Sequence, residues 1–242
     1  VVRGLARRLV GSGVVTSRVV GNPKGLGGAL GVRVSVSAFQ KVVNFSVVDD
    51  ESGEVCTEAA DIPPLPISFE LNAELSALSW EAYDERLPLG EIERRYREIV
   101  ARPRLDPIFT LVLVGLANAS FCRLFGGDWF AVSIVFTATL IGFFLKQGMQ
   151  VRGFNHYVIF IASAFVASMY ASVALTFDTT SDVAIATSVL FLIPGVPLIH
   201  GVIDIVEGPI LNGRARLTSA PMPIACIAVG PSGTLLIGKS AL

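Results

Sequence analysis

Charge stops abruptly along this chain, and that limits the folds open to it more than any single motif does. Residues 1–106 carry 13 basic and 15 acidic side chains, whereas the 136 residues that follow carry 6 and 5. The later charges leave uncharged intervals at 107–122, 129–145, 153–177, 183–203 and 217–238. A hydrocarbon core about 30 Å thick takes roughly 20 apolar residues as helix, within about 17–25. Four intervals meet that length, and the first does so if the stem of Arg123 runs along the helix to the interface. Five core helices of a soluble protein would need more polar surface around them than this chain supplies. The expectation is an α-helical membrane protein with about five transmembrane helices and an N-terminal cytoplasmic α/β domain. Its divisions are 1–105 for the soluble domain and 106–242 for the membrane domain. Spans are expected near 107–122, 129–145, 157–177, 183–206 and 217–238.

Basic residues beside short loops set the orientation. Arg95, Arg97, Arg102 and Arg104 precede the first span, Lys146 and Arg152 lie between the second and third, and Arg214 and Arg216 between the fourth and fifth. The opposite loops hold Arg123 with Asp128, then Asp178 and Asp182. The N-terminus is therefore expected in the cytoplasm and the C-terminus outside. A net charge of −1 with no basic stripe excludes a nucleic-acid partner. Cys56, Cys122 and Cys226 show neither paired nor zinc-type spacing, and the histidines are His156 and His200, so no metal and no cofactor are expected. Arg3, Arg7 and Arg8 break the first apolar stretch, so no leader is expected.

The first third reads as a compact α/β unit. Gly4–Val20 places Leu5, Leu9 and Val10 on one helical face. Val32–Ala38 alternates as a half-buried strand, and 42–48 with 54–60 form a hairpin across Asp49-Asp50-Glu51-Ser52-Gly53. After Ile62-Pro63-Pro64-Leu65-Pro66, Leu71, Leu75 and Leu78 line one helix. Pro88 opens another, supported by the pairs Glu91–Arg95, Glu93–Arg97 and Glu98–Arg102. Gly25–Gly31 lacks the Gly-Lys-Ser/Thr ending of a phosphate loop and precedes a strand, so it reads as a glycine-rich connector. The unit holds no histidine and a single thiol, Cys56. A structural or gating role suits it better than an enzymatic one, and no catalytic residue is expected.

In the third span Ala164, Ser168 and Ser172 recur every fourth residue, with Ala167 and Ala171 beside them, a narrow face for close helix packing. The fourth stretch carries the strongest functional signal. In Leu192-Ile193-Pro194-Gly195-Val196-Pro197-Leu198-Ile199-His200, two prolines each remove a backbone donor and Gly195 loosens the chain between them. Irregular backbone at membrane depth survives where it is buried in protein or lines a wet cavity. Transporters use such interrupted helices to aim half-helix ends at substrate. Pro197 suits the first turn of a second half-helix, which stacks His200 and Asp204 at i and i+4. An ionisable residue in a span is a functional candidate, and a histidine beside it suits proton traffic near neutrality. The competing reading has Asp204 as a cap, or as the partner of Arg214 or Arg216 near the cytoplasmic edge.

These residues resemble the threonine/serine exporter (ThrE) family, nearest to its short YjjP-like members. The resemblance rests on Phe125-Gly126-Gly127-Asp128, Asn155, Pro194-Gly195-Val196-Pro197-Leu198-Ile199, Asp204, Gly208, Gly213, Arg216 and Leu217. The Gly4–Val19 helix with Ser12-Gly13 and Thr16-Ser17-Arg18 extends it over essentially the whole chain. It implies a secondary exporter of small polar metabolites, of the threonine, serine or succinate class, in a bacterial inner (plasma) membrane. It also implies a YjjB-like second membrane subunit, because full-length exporters have a second hydrophobic half. Assembly as a homo-oligomer is left open. His200 stands where the family usually shows an amide, and Arg214 adds a cation before Arg216; both favour a more anionic solute. The substrate or ion path is accordingly expected at Pro194, Gly195, Pro197, His200, Asp204, Asn155 and Arg216, with Gly126, Gly127 and Asp128 in an external turn. The alternatives are a dicarboxylate exporter subunit and, in another class, a membrane-anchored sensor or hydrolase acting through the N-terminal domain.

Overall fold

The computed structural model describes residues 2–39, 42–49, 52–62, 67–103, 105–177 and 179–241. Asp50 and Glu51 of the expected hairpin turn, Pro63–Pro66, Arg104 and Asp178 lie outside them. The chain forms two compact units, one of Val1–Pro103 with Gly195–Thr218 and the other of Arg104–Pro194 with Ser219–Leu242.

In the first unit the apolar face expected over Gly4–Val20 divides into two helices, α1 (Val2–Gly11) and α2 (Thr16–Ala29). The division falls where Gly13 takes a positive φ of 82°. There Ser12 Oγ turns back to the Arg8 carbonyl at 2.6 Å and also bonds the Asn72 side chain. The glycine-rich segment is not a connector, since α2 runs through it to Ala29. The reason is a close approach to the sheet. A Cβ on Gly27 would stand 3.0 Å from the Val32 carbonyl oxygen and overlap the Val34 side chain, so bare backbone lets helix and strand meet.

The expected strands form as β1 (Val32–Ala38), β2 (Val42–Asp49) and β3 (Val55–Asp61), an antiparallel meander in the order β1-β2-β3. Val36 stands opposite Phe45 and Val43 opposite Ala60. Period-two alternation puts Val34, Val36, Val43 and Phe45 on one buried face, where Ala6 of α1 joins them. Two further helices follow, α3 (Phe69–Glu85) and α4 (Leu89–Ala101). Ser68 caps α3 by accepting from the Leu71 amide. Leu75 and Ile92 are fully buried against Leu5, Leu9 and Leu26 in a second core cluster. On α4, Glu91–Arg95 and Glu93–Arg97 pair as expected, at 2.6 and 2.5 Å. The third expected pair does not form. Arg102 turns to Glu74 on α3, and Glu98 takes Arg94 instead. Arg94 and Arg95 together hold the Glu91 carboxyl down at about 2.

The second unit is built from apolar helices. Pro107–Leu124 (α5), Trp129–Val151 (α6) and His156–Thr176 are each long and apolar enough to cross a membrane. The last comprises α7 (His156–Ala171) and a 3-10 turn (Ser172–Thr176). Each begins on a side-chain cap. Asp106 accepts from the Ile108 and Phe109 amides, Asp128 from Phe130, and Asn155 from Tyr157. The fourth apolar stretch qualifies only as a broken pair, Ser181–Leu192 with Gly195–Glu207. Its first part contains α8 (Ser181–Thr187) and a 3-10 turn (Leu190–Leu192). The final apolar stretch is a helix from Pro221 to Ala241 with Pro231 inside it. Of the expected small-residue face, Ala164, Ala167, Ser168 and Ala171 of α7 are fully buried, whereas Ser172, which opens the 3-10 turn, is half-exposed. Gly230 of the final helix lies so near that a Cβ there would come 2.6 Å from the Phe165 backbone nitrogen. Large apolar side chains such as Ile108, Leu116, Phe144 and Val158 face outward, as lipid-facing helices require.

Candidate functional site

The interruption lies at Ile193 and Pro194. Proline disfavours helical geometry in the residue before it, and Ile193 is extended, with φ −61° and ψ 128°. The chain then enters α9 (Gly195–Glu207) in the first unit, and Pro197 sits in the opening turn, where its missing N–H is not needed. A second helix, α10 (Ile210–Ser219), follows the positive-φ turn at Gly208, and the final helix is α11 (Pro221–Ala241).

α9 places His200 and Asp204 one turn apart, and α10 supplies Asn212 and Arg216. Asp204 is completely buried. Its carboxylate accepts from the Thr16 backbone amide at 2.8 Å and from Thr16 Oγ1 at 3.0 Å. Arg216 Nε lies 3.4 Å away. Thr16 is the first residue of α2, whose own N-cap, Val15, offers no side-chain acceptor. Asp204 thus caps α2 from 188 residues away in sequence, where a negative charge meets the positive end of the helix dipole. Arg216 also donates to the Val14 carbonyl at 2.6 Å, and Asn212 donates to Thr16 Oγ1 and to the Ala38 carbonyl. His200 Nδ1 is 2.6 Å from the Gly13 carbonyl oxygen, so this nitrogen carries the proton. Burial pushes the Arg216 pKa down, and the neighbouring Asp204 charge opposes that shift. Of the pairings left open, the structure forms Asp204–Arg216, while Arg214 is exposed.

The structure therefore brings His200, Asp204 and Arg216 together within one unit. Pro194 and Gly195 mark the entry to that arrangement, with Pro197 following. Asn155 is elsewhere, capping α7 in the second unit. Gly126, Gly127 and Asp128 form a tight turn there, with φ 87° at Gly126. A Cβ on Gly127 would stand 2.8 Å from the Cys122 carbonyl oxygen. Asp128 ties the turn to the segment before α8, accepting from Thr179 Oγ1, Thr180 Oγ1 and the Thr180 amide at 2.5, 2.7 and 3.1 Å. Those donors hold its carboxyl well below the usual aspartate range. No group of three His, Cys, Asp or Glu side chains among the described residues is placed to hold a metal.

Two clusters went unread in the sequence. Thr16 and Asn212 complete the Asp204 network through contacts that no local spacing reports. In the second unit, Asn118 of α5 is 3% exposed and joins α6 to the end of α8. Its Nδ2 lies 2.6 Å from Thr139 Oγ1, 3.0 Å from the Thr187 carbonyl and 3.5 Å from that of Ser188. An amide inside an apolar stretch was the available signal.

Residues 1–237 match the model of the family described as "Putative threonine/serine exporter" (ThrE). The chain belongs to the ThrE family. Two relatives, from Klebsiella aerogenes and Escherichia coli K12, carry the description "Probable succinate transporter subunit YjjP". Each is 30% identical over 210 residues, covering 85% of this chain and 80% of the relative. No solved structure matches the chain. As a ThrE member with apolar helices of membrane-crossing length, it is a component of a membrane exporter.

Proposed function

We propose that this chain is one subunit of an inner-membrane secondary exporter of small carboxylates, with succinate the foremost candidate, acting with a second, YjjB-like membrane subunit. The observation that carries this reading is the likeness over 85% of the chain to two proteins described as succinate transporter subunits. The family description favours a second reading, export of threonine or serine. In either case the chain moves a solute and transforms none. The proposed topology has five spans, including the broken fourth and α11, with the N-terminus cytoplasmic and the C-terminus external. The distribution of arginine and lysine between alternate loops supports it. We assign the substrate or ion path to the break at Pro194, Gly195 and Pro197 together with His200, Asp204 and Arg216. Asn155 is a further candidate, and Gly126, Gly127 and Asp128 form the external turn. The domain division proposed remains 1–105 and 106–242 by solvent, although the α9–α10 segment packs with the N-terminal residues.

Efflux from proteoliposomes loaded with labelled succinate, threonine or serine tests the proposal, with this chain reconstituted alone and with a YjjB-like subunit. Succinate efflux that requires both chains is the expected result. Efflux of threonine or serine under the same conditions would favour the second reading. No efflux of any of the three, with both chains correctly inserted, would overturn both.

A further inference from the structure

A helix that ends inside an apolar bundle leaves its last carbonyls without intrahelical donors. Water cannot satisfy them there, so the protein must. α8 ends at Thr187 with Ser188 as its C-cap, both at most 3% exposed. One side chain reaches both carbonyls, that of Asn118 in the middle of α5. The orientation of its amide is fixed by chemistry. Thr139 Oγ1 donates its proton to the Val135 carbonyl at 2.7 Å, so towards Asn118 it can only accept. The Thr187 and Ser188 oxygens are likewise acceptors. Three acceptors converge on one atom, and only the NH2 end of the amide can face them.

Just beyond this point the chain makes its 3-10 turn and reaches the extended Ile193. The turn has a second seat, because Phe191 fits a notch left by Gly142 on α6. A Cβ there would come 2.9 Å from both Phe191 Cζ and Ala167 Cβ. Glycine gives the ring its room, and Asn118 holds the backbone that carries it.

We propose that Asn118 is a positioning residue for export. By donating to the freed carbonyls of α8, it fixes the interrupted segment Val189–Pro194 in the conformation from which the transport cycle starts. This rests on the exporter reading for its functional half, whereas its structural half can be measured without transport.

The test uses the full chain with its YjjB-like subunit and the variants Asn118→Leu and Asn118→Asp. Leucine is of similar size, inserts readily in an apolar helix and has no donor. Aspartate keeps the shape but presents oxygens to three acceptors. Hydrogen exchange followed by mass spectrometry is expected to show the amides of Leu192 and Ile193 exchanging about tenfold faster or more in both variants, with α6 and α7 unchanged. In proteoliposomes the maximal export rate is expected to fall about tenfold, with KM within about threefold of the parent. A residue that merely stabilised the bundle would raise exchange throughout and would not split the two kinetic constants. Wild-type exchange at Leu192 and Ile193 in the leucine variant would overturn the proposal. So would faster exchange there with unchanged export kinetics. If the parent pair moves no solute, the exporter reading fails on that result, and exchange still decides whether Asn118 holds the break.

Discussion

Asp204 has given up all contact with water, and only its donors make the charge tolerable. Removing one partner of a buried ion pair leaves the other charge stranded, at a cost of about 3–5 kcal/mol. Asp204→Ala removes the carboxylate beside Arg216 and uncaps α2, and should lower stability by up to about that amount in thermal unfolding of the detergent-solubilised protein. Asp204→Asn keeps an acceptor for the Thr16 amide and should cost less. If Asp204 also serves the transport path, the asparagine variant will insert normally yet fail to export, and normal efflux by it would remove Asp204 from the path. Asp128 differs in kind, being only half-buried and held by three donors from Thr179 and Thr180. Its folded pKa lies below the unfolded value, so its contribution is full above the ordinary aspartate range and fades as pH falls through the lower folded value. Amide protection at Thr180 should therefore be flat from about pH 7 to about pH 4 and fail only in stronger acid; failure already near pH 4 would contradict this tie. At this scale the sequence showed His200 and Asp204 one turn apart, because helical spacing is local. It hid Thr16, because a contact across 188 residues leaves no periodic trace.

Elements meet here through missing side chains. α9 and α10 approach so closely that a Cβ on Gly213 would stand 2.6 Å from the Gly201 carbonyl oxygen, and one on Gly201 2.9 Å from Leu217 Cγ. A backbone oxygen cannot rotate aside, so the helices themselves would have to separate. Gly213→Ala should destabilise the protein by about 1–3 kcal/mol. Because Asn212 and Arg216 ride on the same helix, the variant should also speed exchange at the Thr16 amide. An unshifted melting temperature would show that the hairpin can open without loss. The same physics explains why Gly25–Ala29 is helix and not a connector. Glycines in a row signal a flexible link when judged by propensity, but tertiary contact with β1 overrides propensity where only bare backbone fits. Charge pairing was legible on α4 for two pairs out of three. The third failed because Arg102, at the helix end, found Glu74 on a neighbouring helix. Strands and apolar helices were readable because alternation and uninterrupted apolar length are properties of single segments.

At the scale of the whole molecule, the two solvents were evident from where the charges stop, but the composition of the compact units was not. Hydropathy assigned 195–218 to the membrane half, whereas these residues cluster with 1–103. Hydropathy measures what a segment avoids and carries no information about which polar groups it meets. A fragment of residues 1–103 should therefore be incompletely folded, with the Thr16 amide and the Gly13 and Val14 carbonyls lacking their partners. Joining residues 195–218 to it through a flexible linker should restore cooperative unfolding by circular dichroism; a cooperative transition in the bare fragment would show that α9 and α10 are dispensable. This discontinuity also governs biogenesis. The ribosome releases the N-terminal strands and helices early, yet their last pieces emerge more than a hundred residues later, after three long apolar segments have left the exit tunnel. At a synthesis rate of about 5–20 residues per second, the wait is on the order of ten seconds. Throughout it, the start of α2 lacks its cap and stays within reach of chaperones and proteases. Closure of the N-terminal unit can come only after those three segments have been synthesised, so a nascent chain stalled among them carries an α2 whose cap does not yet exist.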